Sequence, residues 1–123
     1  MSRHPLWLVP DWGAHSVGAL MTTRDGGVST APFDSLNLRD GVGDNAAAVL
    51  LNQGRFAAAT GGVPIYLNQL HGCSVLRLCG DPAALRALRV DADASVTSDI
   101  GLACTVLVAD CLPVLFAAPA GRA

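Results

Sequence analysis

Four clusters of residues have the types and spacing to do chemistry. The first is Asn68-Gln69-Leu70-His71-Gly72, where an imidazole closes an apolar run just before a glycine. A histidine there can ligate a metal or shuttle protons, and it can equally be a hydrogen-bonded turn residue. The second is Ala109-Asp110-Cys111-Leu112-Pro113-Val114, a polar pair between two apolar runs. A thiol so placed is a nucleophile, a soft metal ligand or a buried structural cysteine. Burying an unpaired carboxylate is costly, so the pattern predicts a specific partner for Asp110. The third is Asp91-Ala92-Asp93 ahead of Val96-Thr97. Carboxylates at i and i+2 of an extended stretch share a face. They can bind metal, orient a histidine, cap the next segment or simply make a turn. The fourth is Thr22-Thr23-Arg24-Asp25-Gly26-Gly27-Val28-Ser29, where Arg24 and the backbone amides of a glycine turn are placed to hold an anion.

The composition narrows that chemistry. The chain has 123 residues and a formal net charge of −2; hydrophobic residues make up 51% and charged ones 15%, the balance of a folded domain. All eight cations are Arg and all ten acids are Asp. The absence of Lys removes Schiff-base and P-loop lysines, and the absence of Glu removes H-E-x-x-H metalloproteases and glutamate bases. Acid–base work falls to Asp, His, Cys or Tyr66. The bias reads as GC-rich codon usage, and the exclusions hold whatever its cause. Cysteines at 73, 79, 104 and 111 have no C-x-x-C spacing, which argues against a zinc ribbon or thioredoxin-type site. Cys73, Cys79 and Cys104 read as core or surface thiols, and His4 and His15 as bland. The sequence carries no signal-peptide pattern, no apolar run long enough for a membrane span and no basic stripe for nucleic acid. It therefore reads as cytoplasmic, with reduced thiols.

These clusters need elements to position them. His15 to Thr23 reads as a strand ended by Asp25-Gly26-Gly27, and Val28 to Gly43 as an ordered loop. Asp44 is a candidate N-cap for a helix carrying Ala46, Val49, Leu50, Phe56 and Ala57 at helical spacing, with Gly61 as its stop. Gly54 inside that helix suggests a close helix–sheet contact. Ile65 to Leu70 and Cys73 to Leu78 read as strands and Pro82 to Leu88 as a short helix capped by Asp81. Ala94 to Thr97 reads as a short strand. Leu102 to Ala109 and Leu112 to Ala117 read as fully buried strands. The total is five or six strands and two helices. A sheet with so few helices is poorly covered, which predicts an α/β (α+β) domain cut short.

Taken in order, TTRDGGVS, FDSLNL, GVGDN, NQLHG, DADASVTS and LVADCLPVLF resemble, block by block, the YfiH family, also called the laccase-domain or polyphenol oxidase family. The match runs from about Gly18 to Phe116, and NQ-x-HG and ADC-x-PV are its most diagnostic blocks. The resemblance implies a layered α/β/β/α fold with mixed sheets, of which residues 1–123 would be a single, incomplete domain truncated after the ADC-x-PV strand. It implies a metal-dependent purine nucleoside phosphorylase, acting on inosine, adenosine and methylthioadenosine, that also deaminates adenosine. The partners would be purine nucleoside and phosphate, not nucleic acid or membrane. Zinc, or alternatively copper, would be held by His, Cys and His, the first two mapping onto His71 and Cys111. The third ligand belongs to an A-H-A-G-W-R-G block that these residues do not contain. Arg24 resembles the family's substrate-side arginine, and Asn37 of the SLNL block lies in the same neighbourhood. Asp93 or Asp110 would orient His71 from behind and fix its tautomer.

Two other enzymatic readings stay open. One is copper-dependent phenol oxidation, although a multicopper site needs more than three histidines. The other is a metal-free thiol mechanism with Cys111 as nucleophile and His71 as base. A fourth expectation is that the 123 residues alone are inactive, or form an interaction module, because two ligands should hold metal weakly.

Overall fold

The computed structural model describes residues 4–119. These form two compact units, one of residues 4–11 and 19–61, the other of residues 12–18 and 62–119.

The first unit is built on helix α1, Ala46–Thr60. Its buried residues Val49, Asn52, Phe56 and Ala59 recur at helical spacing, so one face meets the core formed with Trp7, Leu36 and Leu38. The N-cap is Asn45, whose side chain accepts from the Ala48 N–H at 3.1 Å, and not Asp44 as the sequence suggests. The Asp44 carboxylate is drawn into the preceding loop instead, where it accepts from the Ser29 hydroxyl at 2.6 Å and from the Asn37 amide at 3.1 Å. Gly61 ends the helix in the left-handed region at φ 71°, as predicted. Gly54 is exposed with open space where a Cβ would stand, so close packing does not explain it. The predicted strand from His15 to Thr23 does not form. Residues 12–18 fold as turns of the other unit, where the Val17 N–H donates to Ala14, and only Met21 pairs, in an isolated antiparallel bridge to Leu8.

The second unit holds two two-stranded parallel sheets. In one, β1 (Val63–Ile65) pairs with β4 (Leu102–Cys104) in the register Val63 opposite Leu102 and Ile65 opposite Cys104. In the other, β2 (Val75–Arg77) pairs with β3 (Ala94–Val96). Helix α2, Pro82–Leu88, has the predicted bounds; Asp81 caps it by accepting from the Ala83 N–H, and it packs against β1. Ile65, Leu67, Leu78 and Ala92 are the buried hydrophobic residues of this unit. The mixed α/β class therefore stands, with β2, β3 and β4 shorter than the runs that announce them and β1 displaced, sharing only Ile65 with the strand expected from Ile65 to Leu70.

The largest departure is at 112–117. This apolar run has no strand partner among the described residues and is not buried: Leu112 is 85% and Phe116 89% exposed. An apolar run is a buried strand only if a neighbouring ladder and a covering layer exist, and residues 4–119 supply neither here. Among the described residues no helix is long and apolar enough to cross a membrane.

Candidate functional site

The NQLHG segment lies in the second unit, just after β1, and each of its polar side chains has a separate task. Asn68 forms an isolated parallel bridge with Asp91, and its side-chain N–H donates to the Asp91 carboxylate at 2.7 Å. Gln69 reaches across to Leu107, donating to its carbonyl at 2.9 Å and accepting from its N–H at 2.8 Å. His71 occupies the left-handed region at φ 60°, a conformation open to histidine at some cost.

What holds that turn is Asp93. Its Oδ1 accepts from the N–H groups of Leu70 at 3.0 Å and His71 at 2.9 Å, and its Oδ2 from that of Gly72 at 2.7 Å. Three successive amides converge on one carboxylate. The Gly72 bond leads in holding the Asp93 carboxyl below its ordinary value, followed by those from His71 and Leu70 and the nearby His71 charge, while partial burial works the other way. Asp91 and Asp93 both accept hydrogen bonds from the 68–72 segment. Asp93, expected with Asp110 as a candidate to orient the imidazole, bonds instead to the backbone that carries the ring.

His71 and Cys111 are both exposed. Neither the ring nor the thiol makes a hydrogen bond among the described residues. Asp110 is exposed and likewise makes no hydrogen bond there, against the expectation of a specific partner. That expectation assumed burial, and an exposed carboxylate is satisfied by water.

Arg24 lies in the first unit and is described within it. Its Nε donates to the Asp34 carbonyl at 2.9 Å and a terminal nitrogen sits 3.4 Å from the Asp34 carboxylate, with the arginine side chain 71% exposed. Such an exposed pair contributes little stability and leaves the guanidinium accessible. The anion nest predicted beside it is largely spent internally. The Asp25 N–H donates to Thr23 Oγ1 and the Gly27 N–H to Ser35 Oγ. Gly27 is required by close approach: a Cβ there would strike the Ser35 carbonyl oxygen and stand 2.5 Å from Leu36 Cα. The Asn37 amide is engaged with Asp44 and with the Arg39 backbone.

The residue that orders this loop is one the sequence reading missed. Asn52 on α1 is fully buried; its Oδ1 accepts from the Val28 N–H at 2.8 Å, and its Nδ2 donates to Ser29 Oγ at 2.9 Å, the Asn37 carbonyl at 2.9 Å and the Ser35 carbonyl at 3.2 Å. Asn52, Asn68 and Gln69 share one readable signal: a carboxamide interrupting an apolar run must find partners if it is buried.

A metal ion would find suitable donor types in His71 and Cys111, an imidazole and a thiol of the kind zinc and copper accept. Among the described residues, however, no three His, Cys or Asp side chains form a group that could hold one. Asp93 does not complete such a group with them.

Short parallel strands followed by loops that expose an imidazole and a thiol define a mixed α/β protein. The chain belongs to the family described as multi-copper polyphenol oxidoreductase laccase, whose profile matches residues 18–123; this is the YfiH, or laccase-domain, family. Among its relatives, a purine nucleoside phosphorylase of Pseudomonas aeruginosa is 50% identical over 89% of this chain and 43% of its own length. The purine nucleoside phosphorylase YfiH of Escherichia coli is 45% identical over 93% of this chain and 46% of its own. A solved Neisseria meningitidis protein is 42% identical with a TM-score of 0.76, covering 85% of this chain and 42% of its own. The chain thus spans about half the length of the curated relatives it matches.

Proposed function

We propose that the protein is a purine nucleoside phosphorylase that also deaminates adenosine, using a zinc or copper ion held in part by His71 and Cys111. The observation that carries this reading is the name shared by relatives 45–50% identical over nine-tenths of the chain. In phosphorolysis a phosphate oxygen bonds to ribose C1′ as the C1′–N9 bond breaks. The purine leaves with the bonding pair and takes up a proton. In deamination water replaces the C6 amine and ammonia leaves. A bound ion would supply an activated water for the second reaction.

The chain's own residues would contribute as follows. His71 and Cys111 would each donate one ligand, with a further donor from outside residues 1–123. Asp93 keeps the His71 turn in one conformation, so that the ring is presented without reorganisation. Within its own unit, Arg24 is the proposed contact for an anionic group. Its remaining donors suit a phosphate oxygen, and the Asp34 carboxylate holds the guanidinium in place. Asn37 belongs to the same loop and is proposed to shape it.

The test is phosphate-dependent release of hypoxanthine from inosine by the protein expressed from its complete reading frame. Release with phosphate and none without it is expected, together with ammonia from adenosine. Absence of both products refutes the proposal, and activity insensitive to chelators refutes its metal component. The family description favours a second reading, copper-dependent phenol oxidation. It predicts oxidase activity that rises with added copper and disappears in Cys111→Ala.

A further inference from the structure

We propose that Gln69 is a positioning residue that fixes the register between the turn displaying His71 and the segment leading to Cys111. The proposal rests on the reading of His71 and Cys111 as metal donors and adds to it the element that sets their relation. Past Cys104 the second unit has no strand ladder among the described residues, so the approach to Cys111 lacks the usual source of backbone order. Leu107 is the exception. Its N–H and carbonyl are both taken by the Gln69 side chain, at 2.8 and 2.9 Å.

A carboxamide is a planar donor–acceptor pair like a peptide group, so Gln69 acts as a one-residue substitute for a neighbouring strand. It lies two residues before His71, on a loop whose turn Asp93 independently immobilises. Gln69 therefore ties the turn held by Asp93 to Leu107, four residues before Cys111. Neither Asp93 nor Asn68 can replace it, because their partners lie at 70–72 and at 90–92. Glutamine is suited to this task where glutamate is not, since a carboxylate would set an acceptor against the Leu107 carbonyl.

The experiment uses Gln69→Ala, which removes both bonds, and Gln69→Glu, which keeps the length and the bond from the Leu107 N–H but replaces the other with a contact between two acceptors. Asp81→Ala serves as a control; it uncaps α2 in the same unit without touching this contact. Hydrogen exchange read at the Leu107 amide in the metal-free protein should quicken at least about tenfold in Gln69→Ala, as expected for losing two hydrogen bonds. Cobalt(II) titration, followed by the thiolate-to-metal charge-transfer band, should show at least about a tenfold loss of affinity in both Gln69 variants. Asp81→Ala should lower the melting temperature and leave cobalt affinity within about twofold of the parent. Unchanged Leu107 exchange in Gln69→Ala overturns the proposal. So does a cobalt affinity that falls no further in the Gln69 variants than in Asp81→Ala. A parent protein with no thiolate band refutes the metal reading instead, and the exchange measurement then decides the positioning role by itself.

Discussion

Replacing Asn52 by leucine removes four hydrogen bonds from a fully buried position while nearly conserving shape. Two of the four partners keep another bond. The Ser29 hydroxyl still donates to Asp44, and the Ser35 carbonyl still accepts from the Ser29 N–H. The Val28 N–H and the Asn37 carbonyl lose the bonds that Asn52 supplied. An orphaned buried group costs about 1–3 kcal/mol, and both of these are only part-buried. The expected loss is therefore about 2–3 kcal/mol in total, or a melting temperature lower by roughly 10 °C. Leucine returns little of this, because the site is lined by polar backbone. Urea titration followed by tryptophan fluorescence is the assay, since Trp7 is buried in the same unit. A loss below about 1 kcal/mol with an unchanged urea slope would refute the reasoning, because it would mean that the Arg24 loop does not depend on Asn52 for its order.

Other consequences follow from the same contacts. Asp93→Asn should destabilise the His71 turn in a pH-dependent way. The Asp93 carboxyl is held below its ordinary 3.8, so its contribution is complete at neutral pH and fades as pH falls through the depressed value. The melting-temperature gap between parent and variant should accordingly close below about pH 4. Gly27→Ala should cost about 3 kcal/mol by forcing apart α1 and the loop at Ser35, measured by denaturant unfolding. Finally, the bare apolar surface at Leu112 and Phe116 should drive concentration-dependent association of the 123-residue chain, and Leu112→Ser with Phe116→Ser should reduce it in sedimentation velocity.

Local signals were legible where they decide structure locally. Pro82 after Asp81 gave the bounds of α2, and Gly61 gave the end of α1. The start of α1 slipped by one residue because Asp44 and Asn45 are both good caps, and only the loop at Ser29 and Asn37 decides which carboxylate or amide is free to serve. The strands came out short because an apolar run records burial and not the length of the neighbouring ladder. His71, Asp91 and Asp93 were legible as separate candidates from their residue types, and the structure joins the two carboxylates to the 68–72 segment. The clamp at Asp93, the Gln69 contact and the Asn52 hub were not, since each joins segments about 15–40 residues apart that no periodicity connects.

The parallel pairing of β1 with β4 also sets an order in time. Val63 pairs with Leu102, a residue that leaves the ribosome about 40 positions later. At roughly 5–20 residues per second, β1 waits about 2–8 s for its partner to be synthesised. Through that interval its apolar side chains have no ladder to join, whereas α1 has its core partners Trp7, Leu36 and Leu38 already synthesised ahead of it. The nascent chain is therefore most in need of shielding between the emergence of Ile65 and that of Cys104. Synonymous codons that slow translation inside that window would lengthen its exposure without changing a single residue of the product.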